Sequence, residues 1–205
     1  MSTYYGQKET DKVIANYFDN NYIGNCVEVG VSDGIKGSNT KYFEDNKWGV
    51  LCIDPIPEHV IAAKKIRKNV LEIACGTHRY KTKFHVFDIG EKNIKSSLSG
   101  LTPDERLFIT HGHLINDRYT ITVQVDRLDS ILRNQYAPRK IDFISIDTEG
   151  TELDVLKGMD FNYFDVKLLV VENNFDDPDI EQYLKQFDYK KAERYFVNDF
   201  YIKDR

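Results

Sequence analysis

Glu28 and the glycines that follow it are the first residues whose types and spacing suggest a ligand site. Glu28 lies near the end of an apolar run and precedes Gly30-x-x-x-Gly34, with Asp33 between the glycines. Glycine lets the backbone turn sharply and approach a ligand closely, and a carboxylate before the turn suits a cationic ligand group. The spacing differs from the Gly-x-Gly-x-x-Gly of dinucleotide sites, which grip a pyrophosphate. An ordinary strand-to-helix turn would carry the same pattern, so the motif alone leaves both readings open.

Two further apolar runs end in residues that could complete a nucleoside site. Asp54 ends the second run, where an acid can accept hydrogen bonds from both ribose hydroxyls; a turn aspartate before Pro55 is the structural alternative. Ala74, Cys75 and Gly76 end the third run with small residues that leave room for a flat ring or form a plain turn. Together the three ends predict a nucleoside lying across the carboxyl edge of a parallel sheet. An acid at the first end and the lack of a phosphate loop favour S-adenosylmethionine over a nucleotide.

A fourth apolar run ends in an acidic segment, residues 147–152. In the structural reading, Thr151 caps a helix and Glu152 lies favourably in its first turn. In the functional reading, Asp147 lies at the strand end beside the reacting centre, and a fifth run adds Glu172-Asn173 to the same edge. Such a cluster could serve as a general base, a substrate clamp or a hard-metal site.

These residues need a parallel sheet to bring them together, and the rest of the pattern predicts one. Short runs rich in β-branched residues alternate with helical stretches, which is typical of an α/β fold. The predicted strands are residues 26–30, 49–54, 70–74, 141–147 and 166–172, with extra strands at 83–87 and 120–125. The predicted helices are residues 11–18, 58–68, 152–158 and 179–187, and another begins near Ser38, a good N-cap residue. The tail resembles an antiparallel hairpin with Asn198-Asp199 at its turn.

Length and composition predict one domain. The chain has 205 residues, of which 41% are hydrophobic and 30% charged; these are the fractions of an ordinary globular protein and exclude a disordered chain. We expect a single domain over residues 1–205, with an insertion or lid at about residues 77–117. Within that segment, His111 and His113 could take a proton from a hydroxyl acceptor, although a solvated histidine pair is the commoner case.

Charge, hydropathy and cysteine content indicate which kinds of partner and which location to expect. The formal net charge of −5 argues against a nucleic-acid partner. No apolar run approaches the roughly 20 residues of a membrane span, and the first residues lack the apolar core of a signal peptide. Cys26, Cys52 and Cys75 cannot all pair, which favours reduced thiols. The expected location is therefore the cytoplasm.

Over nearly its whole length the chain resembles the FkbM-type (Methyltransferase_21) methyltransferases. Residues 141–153 are close to the family's Ile-Asp-Phe-x-Ser-x-Asp-x-Glu-Gly-x-Glu-Leu signature. Further counterparts are Tyr5-Gly6-Gln7 with a displaced Asp11, Gly34 with Ser38-Asn39-Thr40, Trp48-Gly49, Asp54-Pro55, Ser99-Gly100-Leu101 and Leu128-Asp129. The chain departs from the family at Asp54, where glutamate is common, and at Thr148, where valine is common. Neither departure should abolish ribose binding, because aspartate, like glutamate, has a carboxylate that can accept hydrogen bonds from both ribose hydroxyls.

The resemblance implies a class I Rossmann-like methyltransferase that moves a methyl group from S-adenosylmethionine to an oxygen, often a sugar hydroxyl, and releases S-adenosylhomocysteine. Glu28 would hold the methionine amino group, Asp54 the ribose, and Ala74-Cys75 the adenine edge, while Asp147 would orient or deprotonate the acceptor. The expected cofactor residues are Gln7, Glu28, Gly30, Asp33, Gly34, Ser38, Asn39, Asp54, Pro55, Ala74, Cys75, Ser97, Asp147 and Thr148. The expected acceptor residues are Glu149, Glu152, Glu172 and Asn173.

The predicted function is an S-adenosylmethionine-dependent O-methyltransferase that acts on a carbohydrate hydroxyl of a small molecule or glycan. The acceptor would be bound by the chain's own loops or by a partner subunit, so the sequence leaves open whether the protein forms a homo-oligomer. A metal-free reaction is favoured over one in which Asp147, Glu149, Glu152 or Glu172 holds Mg²⁺, because Glu149 and Glu152 have structural roles at a helix start. The alternatives are a Mg²⁺-assisted methyltransferase of another small hydroxylated metabolite, a catalytically silent cofactor-binding module, and a nucleic-acid methyltransferase.

Overall fold

A seven-stranded, mostly parallel sheet forms the centre of the protein in the computed structural model, which describes residues 3–88, 99–102, 106, 109, 117–135 and 137–203. The strands in chain order are β1 (Asn25–Val29), β2 (Gly49–Asp54), β3 (Val70–Glu72), β4 (Ala74–Cys75), β5 (Tyr80–Asp88), β6 (Asp117–Asp126), β7 (Lys140–Ile146), β8 (Asp165–Glu172), β9 (Tyr189–Tyr195) and β10 (Asn198–Lys203). The order across the large sheet is β3-β2-β1-β7-β8-β10-β9, and its strand pairs are parallel except for β8-β10 and β10-β9. The predicted α/β class with a C-terminal antiparallel hairpin is confirmed.

The order in which successive strands are added to the sheet reverses at β1. The strands β2 and β3 continue on one side of β1, whereas β7 and β8 continue on the other. Val29 at the end of β1 pairs with Ile53 of β2 and with Ile146 of β7, so the residues that follow these three strands meet at one edge. Ligands of open α/β sheets bind outside the carboxyl ends of the strands at such a reversal.

Helices cover both faces of the sheet and bury it. They are α1 (Thr10–Ala15), α2 (Lys41–Asp45), α3 (Pro57–Ala63), α4 (Leu128–Asn134), α5 (Glu152–Lys157) and α6 (Asp179–Leu184). Val27 and Val29 of β1 pack with α4, α5 and α6 on one face, and Cys26 packs with α1, α2 and α3 on the other. Six of the seven residues of β7 are buried, as expected for a central parallel strand that is covered on both faces.

A three-stranded sheet of order β4-β6-β5 stands beside the main sheet. It packs its own apolar cluster, which includes Phe84 and Val125, against Ile56 at the start of α3. The expectation of one domain with an insertion at 77–117 stays a prediction, because much of that segment lies outside the described residues. Ser97, His111 and His113 are among the residues outside.

Several element boundaries differ from the sequence prediction. The predicted strand 70–74 is two strands, because Ala74 leaves the main sheet and pairs with Val125 of the small one. The helix expected near Ser38 begins at Lys41, and the Ser38 hydroxyl accepts a hydrogen bond from the Lys41 N–H at 3.1 Å. The predicted hairpin turn at Asn198-Asp199 is wrong: both residues lie in β10, and the turn is at 196–197.

Two further observations concern helices and thiols. Helix α4 was not predicted from the sequence, and α3 ends earlier than expected, at Ala63. Among the described residues, no helix is long and apolar enough to cross a membrane. The three cysteines are free and buried, in agreement with unpaired thiols.

Candidate active site

A cavity of about 550 Å³ lies at the carboxyl edge of the main sheet, where the chain reverses at β1. This volume is within the usual range for small-molecule and cofactor sites. Its floor consists of the residues that end or follow β1, β2, β7 and β8, and its walls come from the N-terminal segment and the small sheet. The predicted residues that line it are Gln7, Gly30, Ser38, Asp54, Pro55, Ala74, Cys75, Asp147, Thr148, Glu149 and Glu172.

Gly30 allows the ends of β1 and β7 to approach each other closely. Its φ is +92°, and a Cβ atom built there would lie 1.7 Å from the carbonyl oxygen of Asp147. The Gly30 N–H donates to the Ile53 carbonyl at 2.9 Å, and the Asp147 N–H donates to the Val29 carbonyl at 3.0 Å. Only glycine fits this position, and the close approach is to the protein's own backbone.

Glu28 does not line the cavity. Its buried carboxylate accepts hydrogen bonds from the Ser38 and Thr40 hydroxyls, at 2.8 and 2.6 Å, and from the Asn39 N–H at 2.7 Å. Burial raises the pKa of Glu28, and Arg67, which lies 3.5 Å from its Oε2, opposes that shift. The expectation that Glu28 holds a ligand amino group is therefore wrong in this geometry, because its carboxylate serves the loop at 34–40.

Arg67 completes the network around Glu28. Its guanidinium donates to Glu44 at 2.8 Å, to the Gly34 carbonyl at 3.0 Å and to the Thr40 hydroxyl at 2.7 Å. The basic run at residues 64–68 is typical of a solvated helix face, but the Arg67 side chain is fully buried, so that interpretation is wrong for Arg67. This network fixes the loop that presents Ser38 to the cavity.

Asp54 has the structural role that the sequence left open, and it also lines the cavity. Its Oδ2 accepts from the Ser32 N–H and its Oδ1 from the Ile56 N–H, each at 2.9 Å, which holds the turn after β2. It also lines the cavity beside His59, whose Nδ1 lies 3.2 and 3.3 Å from the two carboxylate oxygens. His59 was not among the predicted site residues, although its position five residues after Asp54, on the first turn of α3, was a usable signal.

Beyond Asp54, the cavity wall is apolar. The small residues Ala74 and Cys75 line it together with Ile56, Phe84 and Leu101. Burial raises the pKa of the Cys75 thiol far above its usual range, so Cys75 acts here as a small apolar residue. This wall suits a flat, mostly apolar ring.

Asp147, Glu149 and Glu172 form an acidic cluster at the opposite end. One carboxylate oxygen from each lies within 4.8 Å of the other two. Burial raises the pKa of Asp147 to about 7, and burial together with the neighbouring carboxylates raises the pKa values of Glu149 and Glu172 well above the ordinary range. Three oxygens in this arrangement could hold a hard divalent cation or take up a proton.

Other expected site residues face away from the cavity. Asp33 accepts the N–H groups of Ile35 and Lys36 within its own turn, and Gly34 packs against Arg67 and Ala63. The structure therefore does not bring Asp33 or Gly34 to the site.

Asn39 and Glu152 also have internal partners. Asn39 donates to the Ser145 hydroxyl at 3.0 Å. Glu152 accepts from the N–H and hydroxyl of Thr148, at 2.9 and 3.0 Å, and from the Gly150 N–H at 3.1 Å. Thr151 is the N-cap of α5, but its side chain makes no capping hydrogen bond, so Glu152 closes this turn instead.

A smaller groove of about 190 Å³ adjoins the cavity and shares Glu172 with it. Glu152 and Asn173 line the groove, and Asn173 also accepts the Asp177 N–H and donates to Asp199. Arg106 donates two hydrogen bonds to Asp177, at 2.9 and 2.6 Å, and its guanidinium lies 4.0 Å from the centre of the Phe175 ring. The two spaces meet at the acidic cluster.

Comparison with known proteins gives a family match and a set of solved structures of similar fold. The family described as the methyltransferase FkbM domain matches residues 28–191, about four fifths of the chain. No protein of curated function is significantly similar to this chain. Among solved structures, M. capricolum TrmK in complex with S-adenosyl-homocysteine has a TM-score of 0.46 and 11% identity. The likeness covers 94% of this chain and 66% of that one.

Proposed function

This chain belongs to the FkbM methyltransferase domain family, and from that premise we propose that it transfers a methyl group from S-adenosylmethionine to a hydroxyl oxygen of a carbohydrate. Methylation with S-adenosylmethionine follows from the family. The oxygen acceptor and its sugar nature are the proposal. The observation that carries the proposal is that Asp54, Ala74 and Asp147, which lie far apart in the sequence, line one cavity at the reversal point of the sheet.

We assign the cofactor to the large cavity. Asp54 is fixed by two backbone N–H donors and keeps oxygen lone pairs for the ribose hydroxyls. Ala74 and Cys75, where the wall is apolar, would hold the adenine ring. Gly30, Ser38 and Asp147 would line the methionine part of the cofactor. Glu28 acts as a positioning residue that holds Ser38, and makes no direct contact with the cofactor.

We assign the acceptor to the space between Asp147 and the smaller groove. The groove is lined by carboxylate, amide and guanidinium groups and by one aromatic ring, and these groups suit a ligand rich in hydroxyls. Glu172 belongs to both spaces, so an acceptor in the groove can extend a hydroxyl toward the methyl group.

The chemistry is an in-line displacement at the methyl carbon. The acceptor oxygen forms a bond to carbon while the carbon–sulfur bond breaks and its electron pair stays on sulfur, which leaves neutral S-adenosylhomocysteine. The hydroxyl proton passes to a carboxylate, for which Asp147 is the first choice because its pKa is raised to about 7 by burial. Holding the oxygen in line with the methyl group supplies much of the rate.

Calorimetric titration with S-adenosylhomocysteine tests the cofactor assignment. Asp54→Ala should weaken binding by about 1–3 kcal/mol, or about 5- to 150-fold, because the ribose loses its acceptor. Asp54→Glu, the residue common in the family, should retain binding. Glu72→Ala is the matched control, since Glu72 is an exposed carboxylate at the end of the neighbouring strand. Equal affinity in the wild type and Asp54→Ala would remove Asp54 from the ribose site.

A further inference from the structure

We propose that Asp147, Glu149 and Glu172 together bind one hard divalent cation, such as Mg²⁺, at the junction of the cavity and the groove. The inference extends the proposed function, because the cation would lie where the acceptor hydroxyl is expected. Its binding can nevertheless be measured without any acceptor.

The spacing of the three carboxylates fits a single ion. One oxygen from each residue lies within 4.8 Å of the others. Around an octahedral Mg²⁺ with oxygens at about 2.1 Å, neighbouring ligands are about 3.0 Å apart and opposite ligands about 4.2 Å apart. Small side-chain movements would therefore bring all three oxygens onto one ion. The remaining positions would hold water or acceptor oxygens, as is usual for Mg²⁺.

Glu172 provides an independent sign of a missing partner. Its side chain is buried, with the residue only 8% exposed. Its carboxyl group contacts another acid, Asp147, and its Oε2 has no hydrogen-bond partner in the described part of the chain. An unpaired carboxylate oxygen in the interior is strongly unfavourable. Within the described residues, no lysine, arginine or histidine forms an ion pair with Asp147, Glu149 or Glu172. A cation in the cluster would satisfy Oε2 and take the place of the protons that these three crowded acids otherwise retain.

The structure separates Glu149 from Glu152, which the sequence treats alike. Glu152 accepts three hydrogen bonds from residues 148–150 and so holds the helix start. Glu149 is instead turned to the cavity and stands in the acidic cluster. The structural role that favoured a metal-free reaction therefore belongs to Glu152, and Glu149 is available as a ligand.

A cation at this position would act on the acceptor. Coordination lowers the pKa of a bound hydroxyl and fixes the oxygen in place. Each carboxylate offers one oxygen to the ion, which leaves the second oxygen of Asp147 to take up the hydroxyl proton. The cation would lower the pKa of Asp147 as well as that of the bound hydroxyl, so proton transfer between the two remains feasible. With two adjacent positions open, the ion would favour an acceptor with neighbouring hydroxyls, such as a sugar diol.

Binding of Mn²⁺, used as a paramagnetic probe, tests the site on the full chain with and without S-adenosylhomocysteine. Electron paramagnetic resonance should detect one bound Mn²⁺ per chain, competed by Mg²⁺. Glu149→Gln and Glu172→Gln should each weaken Mn²⁺ binding at least tenfold. Glu181→Gln should leave it unchanged, because this carboxylate is on the surface and pairs with Lys185. Retained binding of S-adenosylhomocysteine by the variants would show that their cavity is intact.

Two results would overturn the inference. One is the absence of saturable Mn²⁺ binding, or binding that neither glutamine variant alters. The other is a loss of S-adenosylhomocysteine affinity in both variants with no change in Mn²⁺ binding, since the carboxylates would then hold the cofactor's ammonium group. Failure of the proposed function is a separate result: the wild-type protein would not bind S-adenosylhomocysteine at all.

Discussion

Burial of the Glu172 carboxylate in the acidic cluster lowers the stability of the folded protein at high pH. Its carboxylate is buried beside Asp147 and Glu149, and burial, followed by those neighbouring charges, raises its pKa. The folded protein therefore binds the Glu172 proton more tightly than the unfolded chain does. The stability that this proton contributes is fully present at low pH. It is lost as the pH rises above 4.5, the pKa of the unfolded state, and through the raised pKa of the folded state.

Replacing this charge should stabilise the metal-free protein. Glutamine has nearly the same shape and is uncharged, so Glu172→Gln should raise the free energy of unfolding by about 1–3 kcal/mol at pH 8. The gain should shrink toward pH 4, where the wild-type glutamate is protonated in both states. Urea unfolding of EDTA-treated protein at the two pH values measures it, with Glu181→Gln as the surface control. A variant less stable than the wild type at pH 8 would contradict this account of Glu172.

Asp147 is the residue that we expect to take up the proton of the acceptor hydroxyl. It follows a buried central strand, so its backbone is fixed, while its carboxylate lines the cavity. Asp147→Asn should fold and bind cofactor with little change, yet turn over at least about 100-fold more slowly, the low end of general-base effects. Turnover and the cofactor dissociation constant should be measured separately on glycoside acceptors. If the dissociation constant rises while turnover at saturating cofactor is nearly intact, Asp147 only holds the cofactor, and the proton passes to His111 or His113.

A buried ion network holds the loop after β1 in the position that presents Ser38 to the cavity. Arg67 joins Glu28 of β1 to Glu44 of α2 and to the loop that presents Ser38. Arg67→Met should lower stability by about 3–5 kcal/mol, because it leaves two buried carboxylates without a cation. Lys68→Met is the matched control, since the Lys68 side chain is exposed. Urea unfolding measures both variants, and equal stabilities would show that the network is dispensable.

The sequence predicted elements better than it predicted side-chain directions. The apolar runs identified the parallel strands, and strand ends placed Asp54, Ala74 and Asp147 at one edge because carboxyl ends of parallel strands coincide. Glu28 was misplaced although its strand position held a signal. Side chains alternate along a strand, so Glu28 shares the face of Cys26, which packs against α1–α3. Arg67 was misplaced because only tertiary contacts decide whether a long cationic side chain turns inward.

Local patterns also failed where two elements compete for the same residues. Ala74 continues an apolar run from β3, yet it pairs with Val125, more than fifty positions later in the chain. Asn198-Asp199 has turn-forming residues, but Asp199 is drawn into β10 by Lys191 and Arg194, each 2.8 Å from its carboxylate. In both cases a partner on a neighbouring strand outweighs the local preference, and one sequence does not reveal that partner.

For the whole molecule, the cavity joins parts of the chain that are far apart in sequence. The N-terminal segment is held against the loop at 34–40 by a bridge between Gly6 and Gly37 and by the hydrogen bond that the Gly37 N–H donates to the Tyr5 carbonyl, at 3.0 Å. Tyr5 and Gln7 then form one wall, the ends of the main sheet form the floor, and the small sheet closes the other side. A ligand in the cavity contacts all three parts, so its binding must stabilise the protein as a unit.

Thermal unfolding with and without ligand tests this coupling. Binding to the folded state alone stabilises by RT ln(1 + [L]/Kd), or about 2.7 kcal/mol at a ligand concentration of 100 times Kd. In a protein of this size each kcal/mol raises Tm by about 2–4 °C, so saturating S-adenosylhomocysteine should raise Tm by about 5–11 °C. NADH at the same concentration should leave Tm unchanged, because the turn after β1 lacks the glycine spacing that grips a pyrophosphate. Asp54→Ala should need more S-adenosylhomocysteine for the same shift, in proportion to its weaker binding. A shift with NADH as large as that with S-adenosylhomocysteine would contradict the assignment of the cavity, whereas a shift confined to S-adenosylhomocysteine ties the cofactor to all three walls at once.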